Sequence, residues 1–493
     1  MSDNNSSIMY TDVVGYSKLT GDNQEIALII LEEHNQILNQ YTNHYSGKIV
    51  KLTGDGLCAL FDDPVIAIKC AIDIQKALDK RNKLNVKERQ IQIRIGLHYG
   101  SYVEKDNDVF GDGVNLAKQI EPIAPHGGIA ISETMNNMIW DQPNIYIRKH
   151  MLLDFNDSPI QTYEIYLDLI DWFKNIKKKK NQNFDADILY KKAHELFHQG
   201  DYSAAIKFSV LSLNDDFSYK NFDKLSFICH TFISLGEFKY GEKILNKLNE
   251  YILENTSNIE DENLAHFYKM QASLLFNSDL KASLNLFKKS LNKMITSNND
   301  YANEIIYNIC VILMMDGFNE KEINDFRSMD FDNKNDYMFL LEGIFLAIDK
   351  KKKDFQVDDF IESISKMKNN HLMSFAYRIV AIIYLNLDKH DEAQNNISKA
   401  QDLLIKSSEN ISDIDQRSKF IENIFIHKDI MTFSDKISDY FLKMTISEIS
   451  DDQIKNSNDK NEKFYNFCPR CGTQNQNNYK FCVQCGNNLI INV

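Results

Sequence analysis

Two short stretches, IMYTDVVGYS at residues 8–17 and KLTGDG at residues 51–56, decide the fold of the N-terminal part of this chain. Each contains an apolar run that predicts a strand, and each run leads into an aspartate, Asp12 in the first and Asp55 in a glycine turn in the second. Mg²⁺ prefers one or two carboxylates together with phosphate oxygens, so the pair predicts a cradle for metal bound to a nucleotide triphosphate. Taken alone, either aspartate could be a turn or cap residue.

The surrounding sequence predicts an α/β sheet domain that ends near Tyr166. Runs rich in Ile, Val and Leu predict strands at residues 8–14, 48–52, 57–61, 91–97 and 128–131. Helical periodicity covers residues 23–45 and 64–82. Five of the six prolines precede residue 169, and frequent turns suit a mixed domain.

The bulk composition limits the class of protein. A chain of 493 residues is too long for one ordinary core, so two to four domains are expected. A formal charge of −14 argues against general nucleic-acid binding. No apolar run reaches the roughly 18 residues of a membrane span, and the N-terminus shows no secretion signal. We therefore expect a cytoplasmic protein that contacts no membrane.

Residues 186–455 are predicted to form an all-α solenoid of tetratricopeptide-like helical repeats. The best copy of the repeat comprises Ala193, Leu196, Phe197, Gly200, Tyr202, Ala204, Ala205, Phe208 and Leu211. Such a stack leaves a groove that can hold a protein partner, whose identity the sequence does not give. Residues 169–185 are predicted to be a basic, polar linker. Its lysine run, Lys177 to Lys180, is a solvated segment or a contact for an acidic partner.

The C-terminal segment, residues 466–490, contains two CxxC pairs ten residues apart, each followed by glycine. Four thiolates at this spacing predict one structural Zn²⁺ in a closed tetrahedral site, and the segment resembles a small zinc ribbon. The competing interpretation is redox chemistry, since single CxxC pairs can be redox-active. The four ligands are Cys468, Cys471, Cys482 and Cys485. The other cysteines, Cys58, Cys70, Cys229 and Cys310, are interpreted as ordinary buried thiols.

Four motifs in order, TDVVGYS, VKLTGDG, IRIGLHYG and DVFGDGVNLA, make residues 1–168 resemble the class III adenylyl/guanylyl cyclase catalytic domain. The resemblance implies an α+β, ferredoxin-like fold. It implies that Asp12, Asp55 and the Val13 carbonyl bind two Mg²⁺ or Mn²⁺ ions in each active site. The ribose 3′-hydroxyl would then attack the α-phosphorus, and pyrophosphate would leave.

The resemblance also assigns the residues that recognise the nucleotide. Lys51 would donate to adenine N1 and Asp108 would accept from the adenine 6-amino group, which favours ATP over GTP. Without the family register, these two would be a surface lysine and a turn residue. Asn115 would orient the ribose, and it could otherwise be a helix-start residue.

Two positions depart from the family pattern. Gln119 stands where the family has an arginine that neutralises charge on the α-phosphate. The best alignment places Asp154 where a phosphate-binding lysine is expected. Losing one preorganised donor typically costs a factor of about 10² to 10³ in rate. Lys118, Lys149 or His150 are the nearby cations that could compensate in part, so activity is expected to be low but present.

In this family, the active site forms between two head-to-tail domains, one giving the metal ligands and the other the base-binding residues. One chain holds both sets, so the resemblance implies a homodimer with two equivalent sites. The predicted function is an adenylate cyclase regulated by the helical repeats. The alternatives are a catalytically weakened nucleotide-binding adaptor and a cyclase for GTP or a pyrimidine nucleotide.

Overall fold

The computed structural model describes most of the N-terminal domain and the helical region. The described residues are 4–16, 24–52, 54–175, 185–213, 221–254, 259–294, 301–315, 323, 326, 336–348, 354–367, 369–411, 413–435, 463–464 and 490–491.

An eight-stranded sheet forms the centre of the N-terminal domain. Its strands are β1 (Asn4–Val13), β2 (Lys48–Leu52), β3 (Gly56–Phe61), β4 (Ile93–Lys105), β5 (Asp108–Phe110), β6 (Ile129–Ser132), β7 (Tyr146–Phe155) and β8 (Ser158–Tyr166). Their order is β2-β3-β1-β4-β6-β8-β7, and β5 pairs with β4. Among the strand pairs of this sheet that the structure describes, the β4–β6 pair is parallel and the others are antiparallel. The motif strand β1 therefore lies at the middle of the sheet, between β3 and β4.

Helices cover both faces of this sheet. They are α1 (Gln24–His44), α2 (Pro64–Lys83), α3 (Asp112–Ile120), α4 (Glu133–Ile139) and α5 (Leu169–Asn175). Side chains alternate along β1, so Met9 and Val13 join the core on the α2 face, whereas Ile8 and Tyr10 pack with Val114 of α3. Asp12 shares the parity of Tyr10 and thus belongs to the α3 face.

The rest of the described chain is almost entirely helical. Its helices are α6 (Ala186–His198), α7 (Tyr202–Leu211), α8 (Phe222–Ser234), α9 (Phe238–Glu254), α10 (Asp261–Leu275), α11 (Leu280–Met294), α12 (Tyr301–Met315), α13 (Asp336–Ile348), α14 (Asp354–Ile364), α15 (Asn370–Asn386), α16 (His390–Ser408) and α17 (Ile414–Glu422), and residues 425–435 are also helical. The turns after α6 and α8 are alike. Gly200 and Gly236 have φ of +82° and +79°, and the next amide, that of Asp201 or Glu237, bonds back to Leu196 or Phe232.

The last helices fold back onto the first ones. Gln416 of α17 accepts a hydrogen bond of 2.6 Å from Ser203 of α7. Asn423 donates to the Gly236 carbonyl, and Asn277 donates to the Asn423 carbonyl. The C-terminal helices therefore contact the turns of three successive helix pairs.

The N-terminal domain is packed against this helical region. Trp172 of α5 lies in the helical core, and the rings of Phe173 and Phe232 are 4.9 Å apart. The Lys207 ammonium, on α7, donates to three carbonyls of the segment after α4, those of Trp140, Gln142 and Ile145, at 2.8, 2.6 and 2.7 Å. The N-terminal domain and the helical region are therefore joined by buried side chains from each of them.

Most of the predicted elements are present, with two differences. The five predicted strands and both helices form, but β5, β7 and β8 were not predicted from periodicity. Residues 169–175, assigned to the linker, form α5 because Leu169 and Trp172 bury their side chains. The lysine run lies outside the described residues.

The helical region is confirmed, while its tetratricopeptide identity stays a prediction. Cys58, Cys70, Cys229 and Cys310 are buried, and none of these four described cysteines forms a disulfide, as expected. Among the described helices, none combines the length and apolar content that a membrane span requires.

Candidate active site

The two motif aspartates lie side by side because β1 and β3 pair in antiparallel register. Asp12 is opposite Gly56, the first residue of β3, and the Val13 amide donates to the Asp55 carbonyl at 3.2 Å. Burial and the nearby Asp12 carboxylate both raise the pKa of Asp55. The Val13 side chain is fixed in the core, so only its backbone is available to a ligand.

A third strand supplies a cation that the sequence did not reveal. Arg94 lies directly opposite Asp12 in the β1–β4 register, and its Nη2 donates to Asp12 Oδ2 at 2.5 Å. Its Nε is 3.0 Å from Glu121 Oε1, a charge contact without the alignment of a good hydrogen bond. Burial and then Asp12 raise the pKa of Glu121 to about 7, against the opposing effect of Arg94. The site is therefore a cluster of three carboxylates around one guanidinium.

Arg94 could have been recognised from the sequence as a charged residue within an apolar run. The sequence IRIG places Arg94 between the fully buried Ile93 and Ile95. A guanidinium there needs a carboxylate partner, and the neighbouring strand ends in one. Glu121 follows α3 and carried no comparable signal.

The predicted base-binding residues also meet. The Lys51 Nζ atom is 2.6 Å from both carboxylate oxygens of Asp108, which joins β2 to β5. Lys51, together with a hydrogen bond of 2.8 Å from the Val109 amide, lowers the pKa of Asp108. Lys51 is opposite Cys58, which lies opposite Tyr10, so this pair is on the same sheet face as Asp12.

A cavity of about 540 Å³ opens beside α3. It is lined by Asn115, Lys118, Gln119, Pro122, Leu153, Phe155 and Asn156. The structure thus brings Asn115, Gln119 and Lys118 to one wall, with the β7–β8 hairpin opposite. Asp154 is exposed and does not line this cavity, because Leu153 and Phe155 face it instead.

The other two compensating cations also lie apart from this wall. The His150 ring contacts the Ile123 carbonyl through Nε2 at 2.8 Å, and Lys149 is exposed. The register between β7 and β8 shifts between Lys149 and Leu152, which marks a bulge.

The four cysteines predicted to bind Zn²⁺, Cys468, Cys471, Cys482 and Cys485, lie outside the described residues. Two short strands on either side of them are described: β9 (Lys463–Phe464) pairs with β10 (Ile490–Ile491) in antiparallel register.

Comparisons with known proteins agree with this architecture. Residues 1–183 match the family model for the adenylate and guanylate cyclase catalytic domain, and residues 467–489 match that for the zinc-ribbon domain. "Putative adenylate cyclase 3" of Rhizobium meliloti is 32% identical over 154 residues, which cover 31% of this chain and 25% of that protein. The "Adenylate cyclase" of Streptomyces coelicolor is 26% identical over 132 residues, 27% of this chain and 33% of that protein.

A crystal structure of an adenylate/guanylate cyclase/hydrolase from Silicibacter pomeroyi is 30% identical, with a TM-score of 0.31. The match covers 34% of this chain and 98% of the Silicibacter pomeroyi chain. The chain spans about a quarter to a third of the length of the curated relatives it matches. The family models thus show an adenylate and guanylate cyclase catalytic domain at residues 1–183, followed in the chain by a helical region and a zinc-ribbon domain.

Proposed function

We propose that this chain is an adenylate cyclase that converts ATP to 3′,5′-cyclic AMP and pyrophosphate. The observation that carries the proposal is the juxtaposition of Asp12 and Asp55 at one end of β1 and β3, inside a cyclase-family domain. Two adjacent carboxylates, one with a raised pKa, are an arrangement that a divalent cation stabilises.

The few oxygen ligands at this site suit Mg²⁺ or Mn²⁺ that arrives with the nucleotide. They do not form a complete metal site made by the protein alone. Among the described residues, no group of three or more His, Cys, Asp and Glu side chains is placed to hold a metal. Mg²⁺ commonly takes one or two carboxylates and completes its shell with phosphate oxygens and water. Asp12, Asp55 and the Val13 carbonyl would hold two such ions, and Arg94 now supplies the positive charge beside Asp12.

When bound, the ions would activate the ribose 3′-hydroxyl and offset phosphate charge. The chain's own residues would position the nucleotide. Lys51 would donate to adenine N1, and Asp108 would accept from the 6-amino group. Guanine presents the reverse pattern at these atoms, so the pair favours ATP.

The cavity beside α3 would hold the ribose and the phosphate chain. Asn115 would bond to the ribose and fix the 3′-oxygen in line with the α-phosphorus. Gln119 is on the same wall and can donate a hydrogen bond, but it carries no charge to offset that developing on the α-phosphate. We therefore expect turnover below that of a site with arginine at this position.

The complete site would form in a homodimer through the cyclase domain. The metal-binding pair of one protomer would face the base-binding pair and α3 of its partner, as the family resemblance implies. Two equivalent sites then follow from two-fold symmetry. The tetratricopeptide-like helices would bind a protein partner that regulates the dimer, and the zinc ribbon would hold one structural Zn²⁺.

The direct test is a product assay on the full chain. The purified protein is incubated with Mn²⁺ and ATP, GTP, CTP or UTP in turn, and products are identified by mass spectrometry. Cyclic AMP from ATP, absent with Asp12→Asn, supports the proposal. If a cyclic product forms only from another nucleotide, the protein is a cyclase that prefers a different base. No cyclic product from any nucleotide, with the protein shown to be dimeric, overturns the proposal.

The second candidate is a nucleotide-binding adaptor without turnover. It is favoured by Gln119 at the arginine position and by Asp154, which brings no cation to the α3 cavity. In that case, the protein binds ATP tightly, yields no product, and gains no activity from Gln119→Arg. Strong turnover by the unmodified protein excludes it.

A further inference from the structure

Strand β7 begins in the core of the helical region and ends at the cavity beside α3. Its first residue, Tyr146, is 5% exposed and belongs to the same buried cluster as Trp172 and Phe232, and its ring is 5.7 Å from that of Trp172. Leu153 and Phe155, near the other end of the strand, line the cavity. At about 3.3 Å per residue, β7 spans roughly 20 Å between these two places. One strand therefore contacts both the helical region and the candidate nucleotide site.

The start of β7 is held by groups that lie outside the sheet. β7 is the last strand in the order, and β8 is the described strand that pairs with it. The Ile147 carbonyl accepts a hydrogen bond of 3.0 Å from Trp172 Nε1, and the Ile145 carbonyl accepts one of 2.7 Å from Lys207 Nζ. Trp172 is buried in the helical core, and Lys207 belongs to α7. The helical region thus holds the backbone of this edge strand where it begins.

The far half of β7 packs against α3 and the turn that follows it. Leu153 and Phe155 form a small apolar cluster with Leu116 of α3. At the bulge in the middle of the strand, His150 Nε2 donates to the Ile123 carbonyl at 2.8 Å. The position of β7 therefore sets how closely the hairpin wall of the cavity approaches the α3 wall.

The α3 wall is the more rigid of the two. Its end packs directly on Gly96 of β4, where a Cβ atom would be 2.3 Å from the Glu121 nitrogen and 2.9 Å from the Ala117 carbonyl oxygen. Backbone packed this closely on backbone leaves α3 no room to move toward the sheet. The tip of the β7–β8 hairpin, Asn156 and Asp157, is exposed. A change in the width of the cavity is therefore expected to come from the hairpin.

We propose that the helical region regulates the candidate nucleotide site through β7. The contacts at Tyr146 and Ile147 set the position of the hairpin, and the hairpin sets how the cavity fits the nucleotide against Asn115 and Gln119. This regulation rests on the proposed function, because the ligand of the cavity is taken to be its nucleotide. When the start of β7 is loosened, the hairpin wall must be ordered as the nucleotide binds, and this ordering weakens binding.

The first test measures hydrogen exchange in the full-length protein without nucleotide. Trp172→Phe keeps an aromatic ring in the helical core but removes the donor to the Ile147 carbonyl. The amides of residues 151–157, which lie beyond the bulge, should exchange about two- to fivefold faster, up to the equivalent of one hydrogen bond. Faster exchange confined to residues 145–148 would show a local contact alone and overturn the proposal. Tyr146→Phe, which removes the hydroxyl contact with Ser203 of α7, is the second variant if the first fails to fold.

The second test measures the binding of α,β-methylene-ATP with Mn²⁺ by calorimetry. Trp172→Phe should raise the dissociation constant by about two- to fivefold, and an unchanged constant overturns the proposal. Trp140→Phe is the matched control, since Trp140 packs against α6 and α7 but precedes β7. Equal effects from the two variants would show a general loosening of the contact and also overturn the proposal. If the wild-type protein does not bind the analogue, the proposed function fails, whereas the exchange measurement still decides whether β7 couples the helical region to the hairpin.

Discussion

Lys51 and Asp108 satisfy each other within one chain, with the lysine Nζ 2.6 Å from both carboxylate oxygens. Both side chains are about one-third exposed, at 38% and 31%. An ion pair with this exposure is worth little, so opening it to admit a base costs little. Lys51 and Asp108, which are proposed to bind adenine, are therefore held together before the nucleotide binds.

Lys51→Glu should reverse the base preference. The change replaces the donor to adenine N1 by an acceptor and places two carboxylates together at the base site. The ratio of ATP to GTP turnover should fall by about 10²-fold, as expected for the loss of one or two charge-assisted hydrogen bonds. Lys48→Glu is the control, since it breaks a similar pair, Lys48 with Glu104 at 2.7 Å, on the same strand. An unchanged ATP preference in Lys51→Glu would show that the base assignment is wrong.

Asp12→Asn and Asp55→Asn should both abolish turnover but should differ in stability. Each removes a proposed metal ligand, which is expected to cost about 10³-fold or more, since a bound metal supplies several kcal/mol. Asp55 has a raised pKa, so its ionised form is less favourable in the folded than in the unfolded chain near pH 7. Asp55→Asn should therefore keep or raise the melting temperature, whereas Asp12→Asn loses the Arg94 pair and should lower it. Thermal unfolding in EDTA measures both, and a lower melting temperature for Asp55→Asn than for Asp12→Asn would contradict this account.

Gln119→Arg should increase turnover. The side chain at 119 lines a cavity with room for a guanidinium, on the same wall as Asn115. Restoring a charged donor should raise kcat by about 10- to 10²-fold, within the range that one such donor supplies. Lys118→Arg, which keeps the charge of a neighbouring lining residue, should leave kcat near the wild-type value. If Lys118→Arg raises kcat as much, an arginine anywhere on this wall is sufficient, and the charge at position 119 is not responsible.

The sequence predicted the parts of the site that depend on local motifs. Asp12 and Asp55 each follow an apolar run, and the strands that carry them are where periodicity placed them. Arg94 was not predicted as a site residue, because its role depends on the β1–β4 register, which places it opposite Asp12. Cross-strand register is set by the whole sheet and is not visible in a single strand.

The β7–β8 hairpin shows the same limit. The alignment directed attention to Asp154, but Leu153 and Phe155 are the residues that face α3. One extra residue at a bulge reverses which side chains face the core. Lys207 was also missed, since a lone lysine on a helix gives no sign that three carbonyls from another domain surround it.

Lys207→Met should loosen the contact between the cyclase domain and the helical region. Lys207 is 2% exposed, burial lowers its pKa to about 7, and its Nζ donates to the carbonyls of Trp140, Gln142 and Ile145. Methionine keeps the packing but removes the lysine donor of all three carbonyls and leaves that of Gln142 with only a long hydrogen bond of 3.4 Å from the Ile145 amide, which should cost on the order of 3 kcal/mol. Urea unfolding should show the loss, and hydrogen exchange should localise it to the segment after α4. Lys192→Met is the control, since Lys192 Nζ makes one long hydrogen bond, to the Asp141 carbonyl at 3.5 Å, and lies 4.3 Å from the centroid of the Phe208 ring. Equal effects from the two variants would argue against a specific role for Lys207.

His371 should make the helical region sensitive to acid. Burial lowers its pKa from 6.5 to about 4, so the unfolded chain takes up a proton at a higher pH than the folded chain does. The free energy of unfolding should therefore decrease as the pH falls from about 6.5 to about 4, by on the order of 3 kcal/mol from this group. His371→Gln keeps a donor for His427 Nε2 but cannot titrate, so its unfolding free energy should change less over that interval. His126→Gln, at an exposed histidine, should retain the wild-type slope. Since other buried histidines add to the total, the decisive quantity is the difference in slope between the two variants, and equal slopes would show that His371 is not held neutral by burial.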